Sequence, residues 1–598
     1  MKKIILIEPK SKEDHVYKHV YMPRLGLPIL GTQLQEEGYL VNFYLGTGES
    51  LPWPEIFEAD LVGISTTTAT CREAYQIAGI LRAKGIPVVI GGIHATFMPE
   101  EALQFADYVV RDEAEKSFLP LVRAIGEGHE PQDIPGVSYW KNGEMVHNQK
   151  LEGRIDMDSL PIPDLNLLDR SEKMLSVPVM TSRGCPYNCT FCCVTQMFGR
   201  RYRFRCNESI LEELTRYPGR HIFFCDDNFV ANPAHSKELM REMISREDIK
   251  IKSWGAQVRA DAAFDDELVD LMRRSGCNIV YIGFESVNPE TLEKYNKQQT
   301  VEEIREAVSR FHRQGIRIHG MFVLGGEADT AGTIRETADF AIETRIDTVQ
   351  FMVLTPMPGT PFYEKMEQEG KILTYDWSLY DGHHTVIQPE LMAPEELQAE
   401  TVRALKKFYS LSNIFRNVRH TGWSSAIYRS LAWILIRHFQ WKNRGYEQFL
   451  KRQQQSAAQP VTLLDAALGA VGARAVDAGD AGEDTLCSLL WVSLTEQKGI
   501  LYLKLRGMLS SAHLKELNRS LKKILPRYHG QIVVNAEGVR FASEKVAARF
   551  GSQLARLSGR VRRLQVVTAA ENQARSIMNY NKKNRFRLPR FEVLVHRH

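Results

Sequence analysis

The sequence predicts a multidomain α/β protein: a doubly wound parallel sheet, a full or partial β/α barrel, a helical extension and a small C-terminal α/β domain. Three observations carry this reading. Short apolar runs alternate with helical segments twice over, first to about residue 140 and again from Pro178. The 598 residues exceed what one core accommodates. The composition also breaks near the end. Gln453 to Glu483 is rich in Ala, Gly, Gln and Asp, and from Leu486 onward basic residues outnumber acidic ones by roughly three or four to one.

The first series has strands at Ile4–Ile7, Val41–Leu45, Leu61–Ser65, Val88–Ile90 and Tyr108–Val110, with helices such as Ala74–Lys84 and Glu115–Ile125 between them. Short, continuously apolar strands separated by helices mean a parallel sheet covered on both faces. Ligands on such sheets bind beyond the carboxyl ends of the strands. Those ends read Ser65-Thr66-Thr67-Thr68 and Gly91-Gly92-Ile93-His94-Ala95-Thr96, small and polar enough for close backbone approach, although tight turns have the same composition. A Pro- and Asp-rich connector spans Leu160 to Asp169. The second series has strands at Ile222–Phe224, Ser253–Gln257, Ile279–Gly283, Ile318–Leu324 and Thr348–Leu354, a run of βα units whose site belongs at the strands' C-terminal ends. Expected boundaries are 1–140 for the first domain, 141–177 for the connector, 178–393 for the barrel, 394–452 for a helical extension, 453–484 for a linker and 485–598 for the tail. The tail's strands are read at Ile500–Leu505, Gln531–Val534 and Arg563–Val567.

A chain that is 43% hydrophobic and 25% charged, with a net charge of +3, is an ordinary globular composition. The opening MKKIILIEPK has no extended apolar stretch or small-residue cleavage site and reads as a strand rather than a signal peptide. No run of apolar residues is long enough for a membrane span. Nine cysteines in such a chain do not form a disulfide framework, so a reduced, cytoplasmic protein is expected.

Three of those cysteines are tightly spaced in Arg183-Gly184-Cys185-Pro186-Tyr187-Asn188-Cys189-Thr190-Phe191-Cys192. Thiolates are the usual ligands of iron–sulfur clusters. A structural zinc site takes four ligands, typically in two pairs, and no second CxxC pair is present. Three thiolates hold three irons of a cubane and leave the fourth open to a small molecule. Cys193 is read as structural, because adjacent side chains usually point apart.

This stretch, Cys185-x-x-x-Cys189-x-Phe191-Cys192, resembles the signature of the radical S-adenosylmethionine (radical SAM) family, and the resemblance extends from Pro178 to Pro361. It implies a 4Fe-4S cluster on Cys185, Cys189 and Cys192 that reduces S-adenosylmethionine to methionine and a 5′-deoxyadenosyl radical. It also implies cofactor contacts from Asp226, from Arg259 to the cofactor's carboxylate, from Glu285 to ribose and from Gly325 near adenine. In the last place relatives carry a Gly-x-Pro-Gly-Glu-like turn, and this chain reads Leu324-Gly325-Gly326-Glu327 without the proline.

A doubly wound domain directly before such a barrel resembles the cobalamin-binding subclass. Gly63-Ile64-Ser65-Thr66, Val89 to Thr96 and Val110-Arg111-Asp112-Glu113-Ala114-Glu115 carry the likeness, although relatives often show Gly-Glu-Gly-Glu in the last place. The implied cobalamin contacts are Ser65, Thr66, Gly91, Gly92 and His94. The Asp-x-His-x-x-Gly motif for a lower cobalt ligand is absent, so cobalamin is expected base-off with no histidine on cobalt, and neither His15 nor His94 is assigned as a ligand.

The subclass implies transfer of a methyl group to carbon, with an anaerobic oxidative cyclase or ring-rearranging enzyme as the alternative. The expected substrate is a small molecule, with hydrophobic compounds and tetrapyrroles among the candidates. A reading from another class is a cofactor-responsive regulator signalling through its tail. Methylthiotransferases fit less well, lacking here their extra cluster cysteines and terminal RNA-binding barrel. The tail resembles a STAS module over Gln531–Phe541 and the following Ser543. The usual Asp-Ser phosphorylation pair reads Ala542-Ser543, which favours a protein-binding or scaffolding role. Its basic surplus comes with no base-reading motif, so nucleic acid is not expected. The amphipathic stretch Ala426–Trp441 is expected to pack on its own barrel rather than on a membrane. Cys225 and Cys277, flanking barrel strands, are expected to be buried bystanders.

Overall fold

The computed structural model describes residues 2–11, 21–151 and 153–455, and beyond these the five strands between 490 and 595. The chain divides into two compact units, Met1–Leu450 and Lys451–His598. The first unit is built on two sheets. In the first sheet the strands are β1 (Lys3–Pro9), β2 (Leu40–Gly46), β3 (Leu61–Ser65), β4 (Val88–Gly91), β5 (Tyr108–Val110), β6 (Val137–Lys141) and β7 (Glu144–His147). Their order is β2-β1-β3-β4-β5-β6-β7, with the first five parallel and the last two antiparallel. Ile4 to Ile7 are fully buried, as a strand covered by helices on both faces requires. Because β2 and β3 lie on opposite sides of β1, the helices that follow β1 and β3 leave in opposite directions. A crevice opens there.

The hairpin β6–β7 extends this sheet past residue 140, where the sequence placed the start of a connector. It turns on Asn142 and Gly143, both at positive φ (52° and 86°), the Asn-Gly pair that two-residue hairpins favour. That pair was the available signal.

Between the two large sheets, β9 (Ser182–Arg183) and β10 (Arg203–Phe204) form an antiparallel pair flanking the cysteine loop. The second large sheet contains β8 (Ser176–Val179), β11 (His221–Phe224), β12 (Ser253–Val258), β13 (Cys277–Glu285), β14 (Arg317–Leu324) and β15 (Thr348–Val353). They are all parallel, in the order β15-β14-β13-β12-β11-β8, and β8 and β15 do not pair with each other. The barrel is therefore partial. Helices follow its strands, several with capped starts. Thr300 and Glu303 form a reciprocal capping box at the head of Val301–Arg313. Trp254, Phe224 and Phe229 pack ring on ring in the core beneath.

The extension, Pro394–Phe408, Leu411–Lys442 and Arg444–Gln455, is helical as expected. Its first helix packs along β15, and the Tyr409 hydroxyl following it closes the exposed edge. That hydroxyl donates to the Val349 carbonyl (2.8 Å) and accepts from the Val349 N–H (3.0 Å). Within Ala426–Trp441, Ala432 and Ile436 join the buried core while Leu431, Ile434 and Trp441 stay exposed, so the helix packs by one face. Among the described residues no helix is long and apolar enough to cross a membrane.

The last helix runs to Gln455, slightly into the expected linker, and the rest of that linker lies outside the described residues. The second unit's strands, β16 (Leu490–Gln497), β17 (Ile500–Leu509), β18 (Gln531–Phe541), β19 (Arg563–Thr568) and β20 (Phe591–Val595), form one sheet in chain order. Its first pair is antiparallel and the other three are parallel. Ala542 and Ser543 lie outside the described residues.

Candidate active site

The loop between β9 and β10 carries Cys185, Cys189 and Cys192, each partly buried, and no disulfide joins them. Gly184 enters the loop at φ 88°, and a Cβ there would come within 2.8 Å of the Arg201 carbonyl, so the turn requires glycine. The Cys192 N–H donates to the Cys189 carbonyl (3.1 Å), folding the loop on itself. Cys185 and Cys192 each interact electrostatically with Cys189, so the three thiols are neighbours within one loop. Burial pushes all three thiols up. A thiolate there needs a compensating cation, so the donor set fits an iron–sulfur cluster.

Asp226 and Asp227 follow β11, and the two carboxyls do different work. Asp226 is buried, and its Oδ1 accepts from the Thr181 N–H (3.0 Å), the Ser182 N–H and the Ser182 hydroxyl (2.6 Å). Through this oxygen it braces the chain entering the loop, while its Oδ2 is buried with no hydrogen-bond partner among the described residues. Its neighbour Asp227 is the carboxyl that acts electrostatically on Cys185, Cys192 and Cys193, and it accepts from the Gly184 N–H. Burial pushes both carboxyls up to about 6.

Arg259 closes another side of the loop. Its guanidinium stacks on the Tyr187 ring at 3.8 Å, and it donates to the Lys297 carbonyl (2.7 Å). Lys297 in turn pairs with Glu285 at 2.7 Å, both nearly buried, and Glu285 sits at φ 64°, a conformation L side chains seldom adopt. Arg259, Lys297 and Glu285 all act electrostatically on Cys189. Of the sequence-predicted residues, Arg259 and Glu285 thus converge on the cysteines. Lys297 and Tyr187 were not anticipated, because neither belongs to a recognisable motif.

Gly325 does not converge in the same way. The amides of Gly325 and Gly326 both donate to Asp329 Oδ2 (3.0 Å each), whose other oxygen accepts from the Thr291 hydroxyl (2.7 Å). A Cβ on Gly325 would meet Leu397 at 2.5 Å. The glycine admits the helical extension, and Asp329 takes up the two amides. Cys225 and Cys277 do not form a pair at the site either. The Cys225 thiol lies beside the Val179 carbonyl (3.4 Å), whereas Cys277 begins β13 at the end opposite the cysteine loop.

The crevice of the first sheet opens on the same region. A cavity of about 500 Å³ is walled on one side by Glu8, Lys10, Arg24, Thr67, Thr68, Thr70 and Ile93, and on the other by Phe191, Cys193, Met352, Leu354, Met357 and Tyr380. The first group stands at the carboxyl ends of β1, β3 and β4, and Phe191 lies within the cysteine loop. Ser65 and Thr66 sit one step behind the wall. The Thr66 hydroxyl, buried, contacts the Thr67 carbonyl (2.9 Å) and the Thr70 hydroxyl (3.1 Å), which orders the Thr67–Thr70 turn that faces the cavity. Gly91 and Gly92 pass close beneath. Gly92 has φ 92°, and a Cβ on it would come within 2.5 Å of the Thr66 carbonyl, so the two strand ends touch only because it is glycine. This open, polar-edged cradle fits a large planar cofactor. His94 is displaced from it. Its side chain is fully buried, with Nδ1 3.3 Å from the Thr68 hydroxyl and Nε2 3.5 Å from Glu101, and it forms no part of the wall. Among the described residues no histidine lines the cavity.

The two halves are joined by buried ion pairs. Arg183, next to the cysteine loop, donates to Glu113 (2.9 Å) and to Glu115, both following β5, and Arg203 also reaches Glu113 (2.9 Å). Burial opposes the arginine's charge, yet Glu115 and Glu113 raise its pKa further.

Residues 179–341 match the family profile described as the radical SAM superfamily, and residues 19–122 match the B12 binding domain. An uncharacterized methyltransferase of Pyrococcus horikoshii is 34% identical over 429 residues, covering 68% of this chain and 91% of that protein. Bacteriochlorophyllide d C-12(1)-methyltransferase of Chlorobaculum tepidum is 28% identical, covering 70% of this chain and 90% of its own. Among solved structures, the radical S-adenosylmethionine methyltransferase TsrM of Kitasatospora setae, with cobalamin and a [4Fe-4S] cluster bound, shares the fold with a TM-score of 0.57. It is 20% identical and covers 74% of this chain and 99% of its own.

Proposed function

The chain belongs to the cobalamin-binding radical SAM family, and from that premise we propose that this radical SAM enzyme transfers a methyl group to carbon of a small, largely apolar molecule. The observation that carries the proposal is a cavity bounded by both the crevice of the first sheet and Phe191 of the cysteine loop. A cluster held on Cys185, Cys189 and Cys192 would supply the electron that cleaves S-adenosylmethionine to methionine and a 5′-deoxyadenosyl radical, and a cobalamin in the crevice would supply the methyl carrier.

The chain's own residues supply position and dryness. We assign Cys185, Cys189 and Cys192 as the cluster ligands, with Asp226 holding the loop's entrance and Asp227 bordering the thiols. Arg259, already stacked and charged beside Cys185 and Cys189, is assigned to the carboxylate of S-adenosylmethionine, and Glu285 to its ribose. Thr67, the more open residue of the Thr67–Thr70 turn, is assigned to the corrin's edge, while Ser65, Thr66, Thr68, Thr70, Gly91 and Gly92 shape the cradle. Met352, Leu354, Met357 and Tyr380 exclude water from the far wall, and this lining supports a hydrophobic substrate, tetrapyrroles included. Domain limits follow the sequence reading, with the first domain extended through the hairpin. The second unit is read as a STAS-like module serving a protein partner. On that reading, a chain ending at Gln455 retains cofactor cleavage.

The test uses anaerobically purified, cluster-reconstituted protein supplied with cobalamin. Corrin absorbance retained through desalting, with 5′-deoxyadenosine formed on adding reductant and S-adenosylmethionine, supports the enzyme. Intact cofactors without cleavage, in the presence of substrate extracts, would turn the reading toward a cofactor-responsive regulator. Cys189→Ala is expected to lose the cluster's visible absorbance and all 5′-deoxyadenosine while keeping the corrin. A full cluster in that variant would refute the ligand assignment.

A further inference from the structure

Behind the cavity wall lies a second donor cluster that neither cofactor uses. The thiol of Cys71, the imidazole of His94 and the carboxylate of Glu101 place one ligand atom each within 4.8 Å of one another. Cys71 and His94 are almost wholly buried and Glu101 is half-buried. We propose that Cys71, His94 and Glu101 bind a divalent transition metal, zinc by the mixture of sulfur, nitrogen and oxygen donors, with the Tyr75 hydroxyl completing the set.

Four features of the site point to a cation. Tyr75 lies one helical turn after Cys71 on the helix Cys71–Ala83, its side chain is more than nine-tenths buried, and its hydroxyl approaches Glu101 and Cys71 without closing a well-formed hydrogen bond to either. Cys71 and Glu101 are the groups that, after burial, most perturb that hydroxyl, so it faces into the cluster. An unsatisfied buried hydroxyl is costly, and a metal would use its lone pair.

The imidazole is oriented as a ligand. Its Nδ1 is 3.3 Å from the Thr68 hydroxyl, which leaves Nε2 toward Glu101, and metal-bound histidines are held in this way through the other ring nitrogen. The carboxylate is oriented too. Trp377 Nε1 lies 3.0 Å from both oxygens of Glu101 and leaves their remaining lone pairs open. Finally, the charges balance. A thiolate and a carboxylate together neutralise a dication.

Zinc bonds of about 2.0–2.3 Å put tetrahedral ligand atoms roughly 3.3–3.8 Å apart. His94 and Glu101, at 3.5 Å, already meet this spacing. The thiol, about 3.5 Å from a nitrogen or oxygen in such a site, has at most about 1.3 Å to close from the 4.8 Å limit, a side-chain adjustment. Trp377 follows β15, and its neighbour Asp376 pairs with Arg72 at 3.0 Å. A metal here would therefore harden the joint between the first sheet and the segment after the barrel, behind Thr68 of the cavity wall.

The test is metal analysis of the full chain after dialysis against a mild chelator. It is run on the cluster-loaded protein and on a Cys185→Ala/Cys189→Ala/Cys192→Ala chain, so that zinc in vacant cluster positions is not counted. About one zinc per chain in both, falling roughly tenfold or more in Cys71→Ala and in His94→Ala, is the expected result. Zinc absent from both, or zinc unchanged by Cys71→Ala and His94→Ala, overturns the assignment. Should either variant fail to fold, cobalt substitution of the triple-alanine chain decides. A thiolate-to-cobalt charge-transfer band that Cys71→Ser abolishes supports the site, and the lack of any such band refutes it.

Discussion

Arg183→Met tests whether the ion pairs across the two sheets hold the cysteine loop. The guanidinium is 8% exposed, and its partners Glu113 and Glu115 are 1% and 5% exposed. After the substitution Glu113 keeps Arg203, but no other ion pair is found for Glu115 among the described residues. Breaking a buried pair from one side leaves an uncompensated charge and costs about 3–5 kcal/mol. At about 1.4 kcal/mol per decade, the local opening equilibrium rises by roughly two to three and a half orders of magnitude. The assay is native-state hydrogen exchange on peptides covering residues 110–118 and 181–193 of the cofactor-loaded protein, since a chain of this size is not assumed to unfold in two states. Protection should fall in both peptides together while β12 to β15 keep theirs. The double variant Arg183→Met/Glu115→Leu should regain most of the loss, because it removes the stranded charge along with the pair. A change under about tenfold in Arg183→Met, or a double variant as open as the two singles summed, would refute the argument that burial of an unpaired carboxylate drives the effect.

Gly92→Ala is expected to strain the crevice. The positive φ costs about 1–3 kcal/mol, and the new Cβ would press on the Thr66 backbone at 2.5 Å. Corrin retained after desalting should drop while the cluster's absorbance stays, and full retention would sink the assignment of the cradle. His319 should make the fold acid-sensitive. It is buried against the Thr348 hydroxyl (2.8 Å) and the Tyr281 ring, and burial lowers its pKa from 6.5 to about 4. A depressed folded-state value means the contribution is whole above pH 6.5 and is lost as pH falls toward 4, up to about 3 kcal/mol. Urea midpoints measured across that window should slope less in His319→Phe, and an unchanged slope would refute it.

Much of the architecture was legible along the chain because it is a local property. Continuous apolar runs such as Ile4–Ile7 demand burial on both faces, and the alternation with helices then leaves parallel sheets as the solution. The cysteine spacing was legible because cluster chemistry needs thiols within one short loop. The Asn142-Gly143 turn is equally local.

What the tertiary structure alone decided is which of several adjacent polar residues faces the site. Successive residues leaving a strand point in different directions, so Asp227 borders the thiols while Asp226 braces the loop, and Ile93 faces the cavity while His94 turns into the body. The same holds for partners distant in sequence. Arg183 meets Glu113 and Glu115, and Gly325 gives its amide to Asp329 and its open side to Leu397. Composition and spacing limit what a segment forms by itself. Which charges meet, and which amides are already taken, depends on how separately formed elements pack. That is a balance of burial and desolvation across the whole fold, and no window of sequence contains it.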